Sequence, residues 1–375
     1  MTQTHGKTVE SRPTVNFDVR HLILTNGVPI LFLALSITMA MVAGLNVTFL
    51  LNEVVTRLAR NSLLVLSLLI PVTAGMGLNF SIVIGAMAGQ AAAIAVTYWG
   101  IPGVRGFLLA CLLSTPIAAI AGWLAGNVLN RAKGREMITS MILGFFANGI
   151  YQLIFLFLVG PIIPLKDPAM LLPQGIGVRN TVDLINMAQA FDKIWRPVIG
   201  GVRIPVVTLL VSAGMCVLIT FLMKTKIGQD LRAVGQDMHI AEVMGIKVDK
   251  TRIIAMILST VIAGWGQLIF LQNIGTLNTY NSHEQVGMFS IAALLVGGAS
   301  TRRATIWQAI VGVILFHTLF VVSPLAGQRL FGVPQIGEYF RVFVAYGIIA
   351  VALALHAWQG RQVRRQAIKE AMLTE

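Results

Sequence analysis

The sequence predicts an all-α integral membrane protein with about ten transmembrane helices in two related halves, with the N and C termini in the cytoplasm. Hydrophobic residues make up 56% of the 375 residues and charged residues only 11%, and the mean hydropathy is +0.79. These values lie far outside the usual composition of soluble domains. Runs rich in Leu, Ala and Gly dominate over strict apolar–polar alternation, which favours helices as the spanning elements.

Each predicted span is an apolar stretch close to the ~20 residues that cross a hydrocarbon core about 30 Å thick. The second and eighth are short, which bilayer thinning or burial in protein accommodates. Asp, Glu, Lys and Arg are absent from all ten, a pattern that predicts a solute pathway without an ion-coupling carboxylate. The predicted spans are 27–49, 62–76, 78–98, 106–130, 137–159, 204–223, 253–273, 285–299, 304–322 and 342–358.

Basic residues determine the predicted orientation and domain organisation. Most of the 28 Lys and Arg residues fall on one side when the N-terminus is placed inside. The chain then divides into a cytoplasmic tail (1–26), a transmembrane permease domain (27–358) with a cytoplasmic segment at 225–250, and a second cytoplasmic tail (359–375). The net charge of +13 follows from this bias and from contact with membrane lipid. Nucleic-acid binding is not predicted, because the basic residues are dispersed among short loops.

Enzyme motifs are missing from the sequence. It contains no GxxxxGK[ST] phosphate loop, no GxSxG turn and no His/carboxylate cluster at metal-binding spacing. Cys111 and Cys216 lie far apart in apolar spans and are expected to be small core residues. We therefore predict neither an enzyme nor a cofactor or metal site.

The segment between the sixth and seventh spans is the most distinctive part of the sequence. Its apolar residues follow helical spacing, Gly235 interrupts them, Asp237 is suited to cap a second short helix, and Gly245 is suited to end that helix. Two such short helices are unstable alone in water and need a surface to pack on. That surface is either lipid headgroups or a soluble partner protein. The apolar stripe comprises Leu231, Val234, Met238, Ala241 and Met244.

The same segment carries a family resemblance. Gly228-x-x-Leu-Arg-Ala-Val-Gly235, Ala241-x-x-x-Gly245-Ile-x-Val248 and a following apolar span with Ala263-Gly264 resemble the coupling segment of bacterial ABC importer permeases of the branched-chain amino acid, monosaccharide and nucleoside superfamily. Ten spans with both termini inside agree with it.

The resemblance implies that this segment fits into a groove on an ATP-hydrolysing subunit. Arg232 and Glu242 would lie at the rim of that interface, and Leu231, Val234 and Met238 would form its buried anchor. The implied ATPase-coupling residues are Gly228, Leu231, Arg232, Val234, Gly235, Met238, Ala241, Glu242 and Gly245.

Two glycine-interrupted spans occupy corresponding positions in the two halves, at 75–90 and 289–300. Broken helices in matching halves indicate a binding site or pathway, because their exposed backbone groups need a cavity or a partner. The alternative is close helix packing, since Gly85-Ala-Met-Ala-Gly89 is a GxxxG motif. Asn148 and Gln152 share a face of the fifth span and are added as candidates. The predicted pathway residues are Asn79, Phe80, Ser81, Gln90, Asn148, Gln152, Phe289 and Ser290.

The expected solute follows from two departures from the family pattern. Asn79 and Phe289 stand where the sugar permeases that the chain resembles usually carry aspartates. Neutral polar groups beside aromatic faces predict an uncharged polar solute with a ring or planar face, a nucleoside or a monosaccharide. The alternatives are a branched-chain amino acid as solute, or an ion-coupled secondary transporter.

The partners implied by the resemblance are a separate ABC ATPase, a second permease copy or paralogue, an extracytoplasmic substrate-binding protein and membrane lipid. The binding protein would contact the outer loops 160–203 and 274–284, which are otherwise ordinary exposed connections. A short helix is predicted near 181–195 within the first of them. The expected location is the bacterial cytoplasmic (inner) membrane, with multiple spans.

Overall fold

Helices form most of the computed structural model, which describes residues 19–165, 167–351 and 354. They are named here in chain order, and residues 154–158 extend α6 by one π-helical turn. The helices are α1 Val19–Ala43, α2 Val47–Ser67, α3 Leu69–Thr73, α4 Ile82–Tyr98, α5 Gly103–Arg131, α6 Glu136–Leu153, α7 Val206–Lys224, α8 Lys226–Gln236, α9 Met238–Val243, α10 Val248–Ile274, α11 Ser282–Val296, α12 Ile306–Phe331 and α13 at 334–351.

Within the described residues, 6 helical segments are long and apolar enough to cross a membrane. They overlap the second, fourth, fifth, sixth, seventh and ninth predicted spans. Shorter apolar helices occupy the first and third, Gly27–Ala43 and Ile82–Tyr98, and α11 and α13 overlap the eighth and tenth. The predicted tails lie largely outside the described residues, at 1–18 and 359–375. The six segments are Val47–Thr73, Gly103–Arg131, Glu136–Leu158, Val206–Lys224, Val248–Ile274 and Ile306–Phe331.

The first connection lies earlier in the chain than predicted. α1 ends at Ala43, Gly44 follows with φ +60°, and the Asn46 side chain accepts a hydrogen bond from the backbone N–H of Thr48 at 2.9 Å. This cap starts α2 inside the predicted first span. The predicted spans 27–49 and 62–76 are therefore wrong in their boundaries, because one helical segment begins at residue 47 and reaches Thr73.

Charged residues consequently lie within a candidate span, and the expectation of charge-free spans is wrong. Glu53, Arg57 and Arg60 occupy the first half of Val47–Thr73, and none of the three is exposed. The Arg57 Nε donates to Glu53 Oε2 at 3.3 Å, an i,i+4 ion pair that partly offsets the cost of placing these charges at membrane depth. The sequence analysis, which relied on hydropathy, assigned this charged part of α2 to a loop.

The centre of the molecule is α10, which packs against α5, α4 and α2. Its contact with α4 depends on small residues. A Cβ atom added at Gly89 would lie 2.5 Å from the Gly264 carbonyl oxygen, and one at Gly85 would collide with the Thr260 carbonyl. The GxxxG sequence is thus a packing contact, which confirms the packing interpretation for these two glycines.

The long connection between α6 and α7 is fixed by strand pairing to the chain that follows the C-terminal end of α10. β1 (Thr181–Asp183) pairs antiparallel with β4 (Thr276–Asn278), and β2 (Val198–Ile199) pairs with β3 (Val202–Arg203). The helix predicted near 181–195 is wrong, because its first residues form β1 and residues 185–194 form turns. Strand pairing across about 95 residues of sequence cannot be inferred from local periodicity.

Candidate coupling surface and solute pathway

The segment between α7 and α10 forms the two helices that the sequence predicts. The Thr225 side chain caps α8, and Asp237 Oδ1 caps α9 by accepting from the backbone N–H groups of His239 at 2.8 Å and Ile240 at 3.0 Å. Gly245 follows α9 with φ +84°. The capping prediction is confirmed, but Gly235 lies inside α8 rather than interrupting it.

The apolar stripe of this segment packs on the chain itself. Leu231 is 0% exposed and belongs to the main core, and Val234 and Ala241 are buried against Val248. Leu231 and Val234 are therefore unavailable to a partner, which corrects their expected role as the anchor of an ATPase interface. Periodicity identified the stripe but not the surface that covers it.

A different apolar surface faces outward. Ile240, Val243 and Met244 are 57%, 77% and 74% exposed at the end of α9, and Arg232 and Glu242 are exposed nearby. Three large apolar side chains with charged neighbours form the kind of surface that a protein partner covers. We call these three residues the α9 tip, and we call this end of the molecule the coupling side.

Met238 is the stripe residue at the boundary between the two surfaces. It is partly buried, and its sulfur accepts from Arg252 Nη1 at 2.9 Å. Arg252 is fully buried and its Nη2 lies 2.7 Å from Glu136 Oε1 at the start of α6. The ion pair connects the first turn of α6 with the start of α10, and the contact between Arg252 and the Met238 sulfur connects both to α9.

α8 also touches the irregular segment 74–81 that separates α3 from α4. A Cβ atom on Gly75 would lie 2.9 Å from the Gly235 Cα, and one on Gly235 would collide with the Thr73 carbonyl. α8 thus contacts, backbone to backbone, the segment that contains Asn79 and Ser81.

A broad basic cavity lies beside this contact. Its volume is about 830 Å³, and its polar wall includes Lys224, Arg232, Arg302 and Arg303. Arg302 and Arg303 directly follow the second glycine-interrupted motif, 289–300, after Thr301. Basic residues from α7, α8 and the α11–α12 connection therefore converge on the coupling side.

Asn79, Phe80 and Ser81 form a buried turn. The Asn79 Oδ1 accepts from the Ser81 backbone N–H at 3.0 Å and from the Ser81 hydroxyl, and the Phe80 N–H donates to Ser140 Oγ at 3.1 Å. The Asn79 Nδ2 is buried and has no partner among the described residues. The oxygen of this amide maintains the turn, whereas its NH₂ group makes no hydrogen bond to the described residues.

Gln90, Asn148 and Gln152 come together around a residue that the sequence analysis missed. The imidazole of His283, fully buried on α11, lies 2.7 Å from Gln90 Oε1 and 2.8 Å from Asn148 Oδ1. Gln152 Nε2 donates to the same Asn148 oxygen at 3.3 Å. The four side chains connect α4, α6 and α11. His283 was missed because it was assigned to an outer loop.

Phe289 and Ser290 line a separate cavity of about 170 Å³. Arg57 and Arg60 form part of its wall, with Asn61 and His317. Neither arginine was predicted to belong to the pathway, because the helix that carries them was interpreted as a loop. The predicted pathway residues thus divide between the Asn79 turn, the His283 network and this cavity.

Comparison with known proteins assigns the family. Residues 50–353 match the model of the branched-chain amino acid transport system / permease component family. The chain belongs to this family.

Relatives within the permease family have names that refer to sugars and nucleosides. The chain is 31% identical over 134 residues to the nucleoside ABC transporter permease protein NupC of Lactococcus lactis subsp. cremoris, covering 36% of this chain and 40% of that protein. It is 24% identical over 253 residues to the fructose import permease protein FruG of Bifidobacterium longum, covering 64% and 67%. It is 29% identical over 154 residues to the xylose transport system permease protein XylH of Haemophilus influenzae, covering 41% and 38%. Two of the three alignments thus span about two fifths of the relative.

Proposed function

We propose that the chain is the membrane-spanning permease subunit of an ATP-binding-cassette importer, which moves a small polar solute across the bacterial inner membrane. The observation that carries this proposal is the coupling side itself. There the α9 tip is exposed for a partner, while the buried faces of α8 and α9 connect to α6, α10 and segment 74–81. A displacement of the α9 tip would be transmitted to segment 74–81 through rigid backbone contacts.

The coupling side faces the cytoplasm in this proposal, with both termini inside and ten spans in total. Lys224, Arg232, Arg302 and Arg303 converge there, as the positive-inside rule requires. The helix α13 and the residues after it would complete the tenth span.

Three further partners complete the proposed assembly. A separate ATPase covers the α9 tip, and a second permease copy or a paralogue covers part of the exposed apolar surface of α5, α6 and α7. An extracytoplasmic binding protein contacts the loops that β1 and β4 join, at the end of α10 away from α8. Membrane lipid covers the remaining apolar surface. The chain has no enzymatic role of its own here.

The solute is a nucleoside or a monosaccharide in this proposal, which the names of the relatives support. A branched-chain amino acid is the second candidate. An ion-coupled secondary transporter is disfavoured because an ion gradient requires no ATPase surface such as the α9 tip. Glu53 lies on a candidate span, so an absence of carboxylates from the spans does not weigh against ion coupling.

The test is whether the α9 tip binds the ATPase. Val243→Asp places a charge in an interface core where charged residues are depleted. We expect capture of the ATPase by the full-length permease in membranes to fall at least about tenfold, with normal membrane insertion. ATP-driven uptake into vesicles should fall with it.

Two further variants make the test specific. Val198→Asp changes an exposed valine on β2, at the opposite end of the molecule, and should leave ATPase capture unchanged. Leu231→Asp places a charge in the chain's own core and should reduce the amount of folded permease. Normal ATPase capture by Val243→Asp, or uptake that persists without ATP and collapses with a protonophore, contradicts the proposal.

A further inference from the structure

The cavity between α2, α11 and α12 combines positive charge with unpartnered polar atoms. Arg57 and Arg60 lie about 15 and 20 Å from the start of the 27-residue segment Val47–Thr73, which is about 40 Å long. They therefore lie near its midpoint. Among the described residues the lining contains no acidic residue, and it comprises Arg57, Arg60, Asn61, Phe270, Ser282, Gln285, Val286, Phe289, Ser290, His317 and Phe320.

Arg57 and Arg60 differ in whether a carboxylate contacts them directly. Arg57 pairs with Glu53, whereas Arg60 has no ion pair within 4.0 Å among the described residues. Arg60 Nη1 donates to the neutral Asn273 Oδ1 at 3.2 Å, and Arg60 Nε is buried without a partner there. The nearest acid along this chain of contacts is Asp192, which accepts from Asn273 at 2.6 Å. One guanidinium thus faces the cavity with most of its five donors unused.

A second group in the cavity also lacks a partner. His317 is 6% exposed on α12, and its Nδ1 atom is buried with no hydrogen bond among the described residues. Buried polar atoms are normally satisfied, so two side chains in one lining that each carry an unpartnered buried nitrogen indicate a place for a ligand. The same wall includes the rings of Phe289 and Phe320, whose centroids are 4.7 Å apart.

We propose that this cavity binds the solute through a single negatively charged group, a carboxylate or a phosphate, held by Arg60 with His317 beside it. Arg60 donates to the anion in a forked arrangement, and Phe289 and Phe320 contact the ring of the solute. The cavity is too small for a large ligand, and it fits an acidic group with part of one ring. This inference rests on the proposed function, and it replaces the uncharged solute expected from Asn79 and Phe289 with an acidic one.

Matched probes test the charge preference directly. The full chain, assembled with its ATPase in phosphatidylcholine nanodiscs, is titrated with D-galacturonate against D-galactose and with uridine monophosphate against uridine. We expect the charged member of at least one pair to bind about tenfold more tightly than its neutral partner. The carboxylate and phosphate arms identify which anion is preferred. Equal affinity within both pairs overturns the proposal.

Two variants assign any preference to the cavity. Arg60→Gln removes the charge and should abolish the preference, whereas Arg203→Gln, an exposed arginine on β3, should leave it unchanged. If Arg60→Gln does not fold, the wild-type pairs still decide the outcome. An anion preference that survives Arg60→Gln would show that Arg60 does not bind the anion. Probe binding that is abolished by phosphatidylglycerol in the nanodisc would show that an anionic lipid headgroup occupies the cavity. Either result overturns the assignment of the cavity to a solute.

Failure here is distinguishable from failure of the proposed function. Arg60 lies near the midpoint of Val47–Thr73 and forms no part of the α9 tip, so Arg60→Gln should capture the ATPase normally. Equal affinity for the charged and neutral probes, together with normal ATPase capture, rejects only the anion site. Loss of capture in Val243→Asp is scored independently of any solute.

Discussion

Gly75 and Gly235 meet backbone to backbone, so that a Cβ atom on Gly75 would lie 2.9 Å from the Gly235 Cα. Gly235 belongs to α8, and Gly75 adopts φ +73° at the start of the irregular segment 74–81. Such close approach leaves no flexible side chain between the two elements. A displacement of α8 would therefore be transmitted to the Asn79 turn with little loss.

Gly235→Ala tests this contact. Alanine favours a helix over glycine by about 1 kcal/mol, but its Cβ would collide with the Thr73 carbonyl, and overpacking costs about 1–3 kcal/mol. We expect a lower melting temperature and a loss of ATP-driven uptake. The control is Gly214→Ala on α7, where a Cβ would have no atom within 4 Å and should stabilise the helix. Equal effects of the two substitutions would show that the contact is unimportant.

Features that depend on neighbouring residues could be predicted from the sequence. The capping of α9 by Asp237 and the left-handed Gly245 follow from residues within a few positions, and both were predicted. The packing partner of Leu231 depends on helices distant in sequence, so the same stripe was assigned to the wrong surface. Arg57 and Arg60 were missed for a related reason, because a hydropathy window excludes charges that Glu53 and neighbouring helices accommodate.

The two functions of the Asn79 carboxamide can be separated by substitution. Asn79→Asp keeps an oxygen for the Ser81 hydrogen bonds but loses the unpartnered Nδ2, and Asn79→Leu loses both. We expect Asn79→Asp to retain the Ser81 hydrogen bonds and ATPase capture while uptake falls, and Asn79→Leu to lose those hydrogen bonds at a cost of about 1–3 kcal/mol in stability. Uptake of uridine and D-xylose in vesicles provides the measurement. Full uptake by Asn79→Asp would restrict Asn79 to a structural role.

The buried ion pair between Glu136 and Arg252 should depend on both partners. Glu136→Leu leaves the fully buried guanidinium of Arg252 without its carboxylate, which costs about 3–5 kcal/mol in other proteins. The double variant Glu136→Leu/Arg252→Met removes both charges and should be markedly more stable than the single one. Thermal unfolding in detergent ranks the wild type, the single variant and the double variant by stability. A double variant as unstable as Glu136→Leu would show that the pair makes no specific contribution.

His283 illustrates how pathway candidates can instead form a structural network. Gln90 and Asn148 both direct oxygen atoms at the imidazole, and a neutral ring donates from only one nitrogen. Either the ring carries both protons or one carboxamide presents its NH₂ group. In both cases the polar groups of α4, α6 and α11 depend on His283, whose ring also packs 4.9 Å from that of Tyr151.

His283→Phe retains the ring contact with Tyr151 but removes both nitrogens, which leaves the Gln90 amide oxygen unpaired at a cost of about 1–3 kcal/mol, while the Asn148 oxygen keeps its hydrogen bond from Gln152. We expect a fall in melting temperature and partial recovery in Gln90→Leu/His283→Phe, because that pair removes the orphaned amide. A double-mutant cycle on unfolding measures the coupling. If His283 is only structural, uptake should recover in proportion to stability in the double variant. Recovery of stability with no recovery of uptake would instead place His283 or Gln90 on the solute pathway, and strictly additive effects would show that the two residues do not act together.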